Sequence, residues 1–166
     1  MDSTSLDAVL KTCSPTLQQS MSPLVALTRW SMTQKNNFLS CSPLLQERFV
    51  HNAGILLPES TKSELRSRWR ESGRVSLRIP VTVHLNDGTP RTSFLDAFVE
   101  RAEGSLQKRP VFVRDGIVIS DVRTRPIRDV NAIVSITDSV LTGFLGDAEN
   151  PAHTEWSEES SHIKGK

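Results

Sequence analysis

Val75, Leu77, Ile79, Val81 and Val83 alternate with Ser76, Arg78, Pro80, Thr82 and His84. A period of two over so long a run suits an extended strand with one buried face and one polar face. A helix would scatter the same residues around its circumference. Leu77, Ile79 and Val81 are therefore expected in the core, with Ser76 on the solvated side. Pro80 cannot donate to a ladder, which places the strand at an edge or at a bulge. Asn86-Asp87-Gly88 is a turn signal that sends the chain back into a second strand, Thr92 to Glu100. Val111 to Arg114 and Ile117 to Val122, joined by Asp115-Gly116, repeat the device, and Asn131 to Thr137 adds another short strand.

Helical signals flank these strands. Thr61-Lys62-Ser63-Glu64 has the form of a capping box, Leu65 and Trp69 share one helical face, and Gly73 supplies a left-handed stop. Asp138 can cap a last helix, with Leu141, Phe144 and Leu145 turned inward and Gly146 at its end. The fold class is α+β: an antiparallel or mixed sheet of about five strands built from two hairpins, with a short helix before it and one after it.

Residues 1–60 read as a loosely packed helical leader. Ser14-Pro15, Ser22-Pro23 and Ser42-Pro43 each offer an N-cap followed by a first-turn proline. Leu24, Leu27 and Trp30, then Leu45 and Phe49, recur at near-helical spacing, so two or three short helices are expected. They carry few charges and need a surface to pack on. The well-formed start at Thr61 and stop at Gly73 nevertheless make residues 61–156 a unit expected to fold without them. Residues 157–166 read as a disordered polar tail.

Lys plus Arg number 20 and Asp plus Glu 19, so no global charge draws the chain to a polyanion. The distribution is uneven. Lys62 to Arg74 holds five basic and two acidic residues, and Arg101 to Arg128 seven and three. Asp129 to Glu159 holds seven acidic residues and no Lys or Arg. Cys13 and Cys41 make neither a disulfide framework nor a metal cage and read as reduced thiols. A basic segment followed by an apolar run is missing at the start, and no stretch reaches the roughly 18 apolar residues of a membrane helix. A soluble, cytoplasmic protein with no membrane partner is the expectation.

Short motifs add little chemistry. Gly143-Phe144-Leu145-Gly146 matches the GxxG form of a phosphate-clamping loop, but its apolar middle suits a helix C-terminus. Arg123, Arg125 and Arg128 flank Thr124 and Pro126 in a loop, as candidate contacts for an anion or an acidic partner. Asp147 and Glu149 of the same chain are among the possible acids. No aromatic residue interleaves with these arginines to stack bases, which favours a solvated loop. His51, His84, His153 and His162 lack metal-ligand spacing, and nothing marks an activated nucleophile. Asn150, His153, Thr154 and Trp156 crowd into one loop after a helix, where function often sits. Two readings stay open: a functional loop, or a turn at Asn150-Pro151 with Trp156 as its apolar anchor.

Three segments, RVSLRIPVTV, PVFVRDGIVISDV and VNAIVSITDSVLTGFLGDAENPAHTEW, together resemble the C-terminal part of large bacterial GHKL-type ATP-binding proteins. That superfamily includes gyrase, heat-shock chaperone, MORC and mismatch-repair ATPases. The stretch from Ser63 to Trp156 is similar to the transducer domain behind their nucleotide-binding fold. The resemblance implies a strand pair, a loop and a terminal helix that relay nucleotide state. The departures are equally plain. None of the eight glycines lies two residues after an Asp or another Gly, so the DxGxG turn for adenine is missing. The loop from Gly146 to Trp156 has no Lys or Arg for a terminal phosphate, only His153. The resemblance thus implies a transducer without its engine: a truncated gene product, a split subunit or a remnant. It implies no catalytic residue and no cofactor or metal site in this chain, with ATP and Mg supplied only by a separate nucleotide-binding domain. The partner would be a GHKL nucleotide-binding subunit or a second copy. The alternative is a stand-alone binding module whose basic loops take nucleic acid or an acidic protein.

Overall fold

The computed structural model describes residues 11–42, 57–85, 87–104, 108–122, 124–150, 152–153 and 155–156. The alternating segment is strand β2 (Arg74–His84), and the turn after it returns the chain into β3 (Pro90–Arg101). The two pair antiparallel along their whole length, from Arg74 opposite Glu100 to His84 opposite Pro90. The second hairpin is β4 (Val111–Arg114) and β5 (Ile117–Ile119), the latter stopping short of the expected Val122. The hairpins are not neighbours. Strand β6 (Val130–Ile136) lies between them, antiparallel to β3 and parallel to β4.

A further strand comes from the leader. β1 (Leu39–Ser40) pairs parallel with β2 at Leu77 and Arg78, giving a mixed six-stranded sheet ordered β1-β2-β3-β6-β4-β5. β1 accompanies β2 only at those two positions. Among the described residues no strand pairs with this side of β2 beyond them, and Pro80 sits there, where a missing N–H is tolerated.

The leader expectation is corrected where the structure describes it. Ser14 accepts from the Leu17 N–H at 3.4 Å and Pro15 opens the helix, as read. The helix then continues through Pro23 as one element, α1 (Pro15–Thr33), so Ser22-Pro23 starts nothing. Far from loose, α1 lies on the sheet. Leu27 is fully buried against Phe98 of β3 and Ile133 of β6, with Leu24, Trp30 and Phe38 around them. Pro43, Leu45 and Phe49 fall outside the described residues.

This packing also corrects the face assignment of β2. Ser76 stands opposite Phe98, so the even-numbered, polar-looking face is the one that α1 covers. Ser76 is 1% exposed and donates its hydroxyl to the Asn37 carbonyl at 2.6 Å. Arg78, on the same face, grips Asp96 through two 2.8 Å hydrogen bonds. Its guanidinium lies between the rings of Phe38 and Phe94, 4.3 and 4.0 Å from their centroids. The odd-numbered face is buried only in places. Val75 and Val83 are buried, while Leu77, Ile79 and Val81 are half-buried rather than central.

α2 (Glu59–Ser72) flanks the β1–β2 edge. It starts before the supposed capping box, with Pro58 at its N-cap, and the Thr61 hydroxyl instead donates to the Ser40 carbonyl at 3.1 Å. Gly73 ends it at φ 66°, as expected. α3 (Ser139–Ala148) covers the far part of the odd-numbered face, where Leu141 joins Val83 and Ile136. Asp138 caps it by accepting from the Val140 and Leu141 N–H groups. The helix runs past Gly146 to Ala148, and Phe144 points outward, 38% exposed, against expectation.

Candidate functional site

Glu149 follows the last turn of α3, and its backbone N–H closes that turn on the Gly146 carbonyl at 3.3 Å. Its side chain is 1% exposed. Such burial is tolerable for a carboxylate only with full pairing. Arg114, at the end of β4, supplies both Nε and Nη2, the second at 2.7 Å. His153 Nδ1 lies 2.7 Å from Oε2, and Trp156 Nε1 donates to Oε1 at 3.2 Å. An ionised carboxylate only accepts, so the His153 hydrogen sits on Nδ1. Four donors fill the roughly four lone-pair sites of the two oxygens. Burial pushes the Glu149 pKa up, but the Arg114, His153 and Trp156 donors outweigh it, and the net shift is downward. A saturated, ionised carboxylate is an electrostatic staple and a poor general base.

The staple organises the loop singled out from the sequence. Asn150 donates its N–H to the Glu155 carbonyl at 3.2 Å and accepts from the His153 N–H at 2.9 Å. His153 adopts φ 55°, in the left-handed region, and its side chain is 56% exposed. Trp156 meets Phe112 of β4 edge-on, centroids 6.0 Å apart, so it anchors the loop on the sheet. Thr154 lies outside the described residues. The sequence reading missed Arg114 and the centrality of Glu149. No local signal pairs them, since Arg114 lies 35 residues before Glu149.

Two surface cavities flank this scaffold. One, of about 520 Å³, lies between the β2–β3 turn and the outer side of α3. Leu85 and Phe144 contribute apolar surface to it, with His84, Asp87 and Asp147 as its titratable groups. The Thr89 backbone and hydroxyl hold the Asp87 pKa below its ordinary value. The other cavity, of about 570 Å³, lies at the opposite end of β2, where Trp30, Arg70, Arg74 and Arg101 meet Glu71 and Glu100.

The topology sorts charge between these ends. β2 and β6 begin, β3 finishes and β4 begins at one end, so Arg74, Arg101 and Arg109 gather there. The loop carrying Arg125 and Arg128 joins them, because the Ala102 N–H reaches the Asp129 carbonyl at 2.9 Å and Lys108 bridges to Ile127. Arg125 and Arg128 are exposed, and Arg123 lies outside the described residues. Asp87, Asp115, Asp138, Asp147 and Glu149 gather toward the other end. Glu149 is paired with Arg114, not with the arginines of that loop.

Among the described residues, no three His, Cys, Asp or Glu side chains come together to hold a metal ion, and no helix is long and apolar enough to cross a membrane. No protein-family model, curated protein or solved structure matches the chain.

Proposed function

We propose that the protein is a non-catalytic, transducer-like docking module that works in the cytosol on a separate GHKL-type nucleotide-binding subunit. The observation that carries this reading is the Glu149 staple. One carboxylate ties the end of α3, the loop to Trp156 and the end of β4 into a single body. β4 is laddered to β6, and β6 to β3, so a push on the loop is passed into the sheet. A relay element needs that kind of stiff connection between its contact loop and its scaffold. Cys13 and Cys41 are not joined in a disulfide, which suits a reducing compartment.

The test is to mix the chain with a purified GHKL nucleotide-binding subunit, chosen from its gene neighbourhood where one is encoded there. Co-elution on size exclusion and altered ATP turnover by that subunit are expected. The Arg114→Met variant, in which the loop is uncoupled, should still co-elute but leave turnover unchanged. Failure of the unmodified chain to co-elute at tens of micromolar would sink the proposal.

A further inference from the structure

We infer that the basic end of the sheet is a binding site for single-stranded nucleic acid, with the phosphate backbone on arginines and a base stacked at the Trp30–Arg74 cavity. This is independent of the docking role, which concerns the loop at the opposite end.

The arginines of the β5–β6 loop, taken alone, lack the aromatic partners that base stacking needs. The fold supplies them from distant parts of the chain. Trp30 arrives on α1 and places its ring 5.7 Å from the Arg74 guanidinium. Trp69 arrives on α2, and the Arg101 guanidinium lies 5.2 Å from its ring centroid. Arg101 is further fixed by donating Nη2 to the Trp69 carbonyl at 2.7 Å. Arginine planes held on aromatic rings are platforms on which an unpaired base can stack.

The cations run on from that platform. Arg70 and Arg101 line the cavity, and the register of β3 on β6 pairs Arg101 with Val130, two residues after Arg128. Arg125 and Lys108 continue the line through the Lys108–Ile127 bridge. The described acids at this end are fewer than the cations, and the least engaged is Glu103, exposed and 3.9 Å from Arg101. Glu100 accepts from Arg74 Nε at 2.8 Å, Glu71 accepts from the Ser67 hydroxyl at 2.7 Å, and Asp129 accepts from the Gly104 N–H at 3.0 Å. Arg70, Arg125 and Arg128 are exposed and face solvent with fixed positive charge. A single strand can bend its bases into such a cleft, whereas a duplex keeps them stacked inside.

The experiment uses the full chain with fluorescein-labelled oligouridylate, a matching duplex, an abasic oligonucleotide of equal length, and heparin. The single strand should bind best. Its log affinity should fall with log salt at a slope of about −2 to −3, as three or four phosphate contacts give. The triple variant Arg70→Gln, Arg125→Gln, Arg128→Gln should bind at least tenfold more weakly with a shallower slope. Binding should also quench tryptophan emission in the Trp156→Phe background, where only Trp30 and Trp69 report. Equal affinity for the abasic strand or for heparin would overturn the inference and leave a general polyanion or acidic-protein surface. An unchanged salt slope in the triple variant, or no binding of oligouridylate at low salt, would overturn it too.

Discussion

Glu149 is the residue on which most of the terminal loop depends. Replacing it with Gln leaves the Arg114 guanidinium, whose side chain is 12% exposed, buried without its counter-charge. The expected loss is about 3–5 kcal/mol, read from urea unfolding. Changing Arg114→Met together with Glu149→Leu should cost less than Glu149→Gln alone, because no orphan charge remains. A double variant worse than the single one would refute the staple. The same group sets the acid limit of the fold. Asp138 too is held below its ordinary pKa, first by the Ser93 hydroxyl and then, against burial, by the Leu141 and Val140 amides. A carboxylate depressed in the folded state adds stability above its unfolded pKa, near about 4, and loses it as pH falls through the lower folded value. Melting temperature should therefore fall on acidification below about pH 5. Glu149→Gln and Asp138→Asn should each flatten that fall, and a variant as acid-sensitive as the parent would show that its group is not responsible.

At the scale of elements, α1 and β1 belong to the body of the fold. Leu27→Ala should cost about 2–5 kcal/mol, as a fully buried leucine does. Leu77→Ala should cost less, since Leu77 is half-buried. Ser76→Ala should not be silent and should lose about 1 kcal/mol with the hydrogen bond to Asn37. Urea midpoints of the three variants decide the order. Under limited proteolysis, Pro15–Cys41 should resist cleavage as long as the sheet does, and a stable fragment beginning at Thr61 would contradict that. The sequence was legible wherever one segment carried its own signal. The β2 strand, the Asp-Gly turns, the Gly73 stop and the Asp138 cap all reappear in place. It was misleading where identity depends on what comes from afar. Ser76 and Arg78 look solvated until the segment after α1 meets Ser76 through Asn37 and two phenylalanines enclose Arg78. The strand β1 is too short to carry a period, and the place of β6 between the hairpins leaves no local trace. For the site, the crowding of Asn150 to Trp156 was visible, but its anchor on Arg114 lies 35 residues upstream and could not be paired by spacing.

At the scale of the whole molecule, arginines gather at one end of the sheet and aspartates at the other. The chain alone should bind neither ATP nor ATP with magnesium, because it lacks the glycine turns that would cradle adenine and phosphates. Titration calorimetry checks this, and micromolar affinity would contradict a docking role that leaves nucleotide binding to a separate subunit. The packing of α1 on the far strands has one more consequence, in time rather than in space. Leu27 leaves the ribosome well before Phe98 and Ile133, the residues that bury it. At about 5–20 residues per second, the 106 positions from Leu27 to Ile133 take about 5–20 s to synthesise. Throughout that interval α1, whose only charge is Arg29, is a nascent apolar helix with nowhere to go. Shielding of that early segment should therefore limit production in the cell, so slowing translation should lower the soluble yield, and an unchanged yield would count against this.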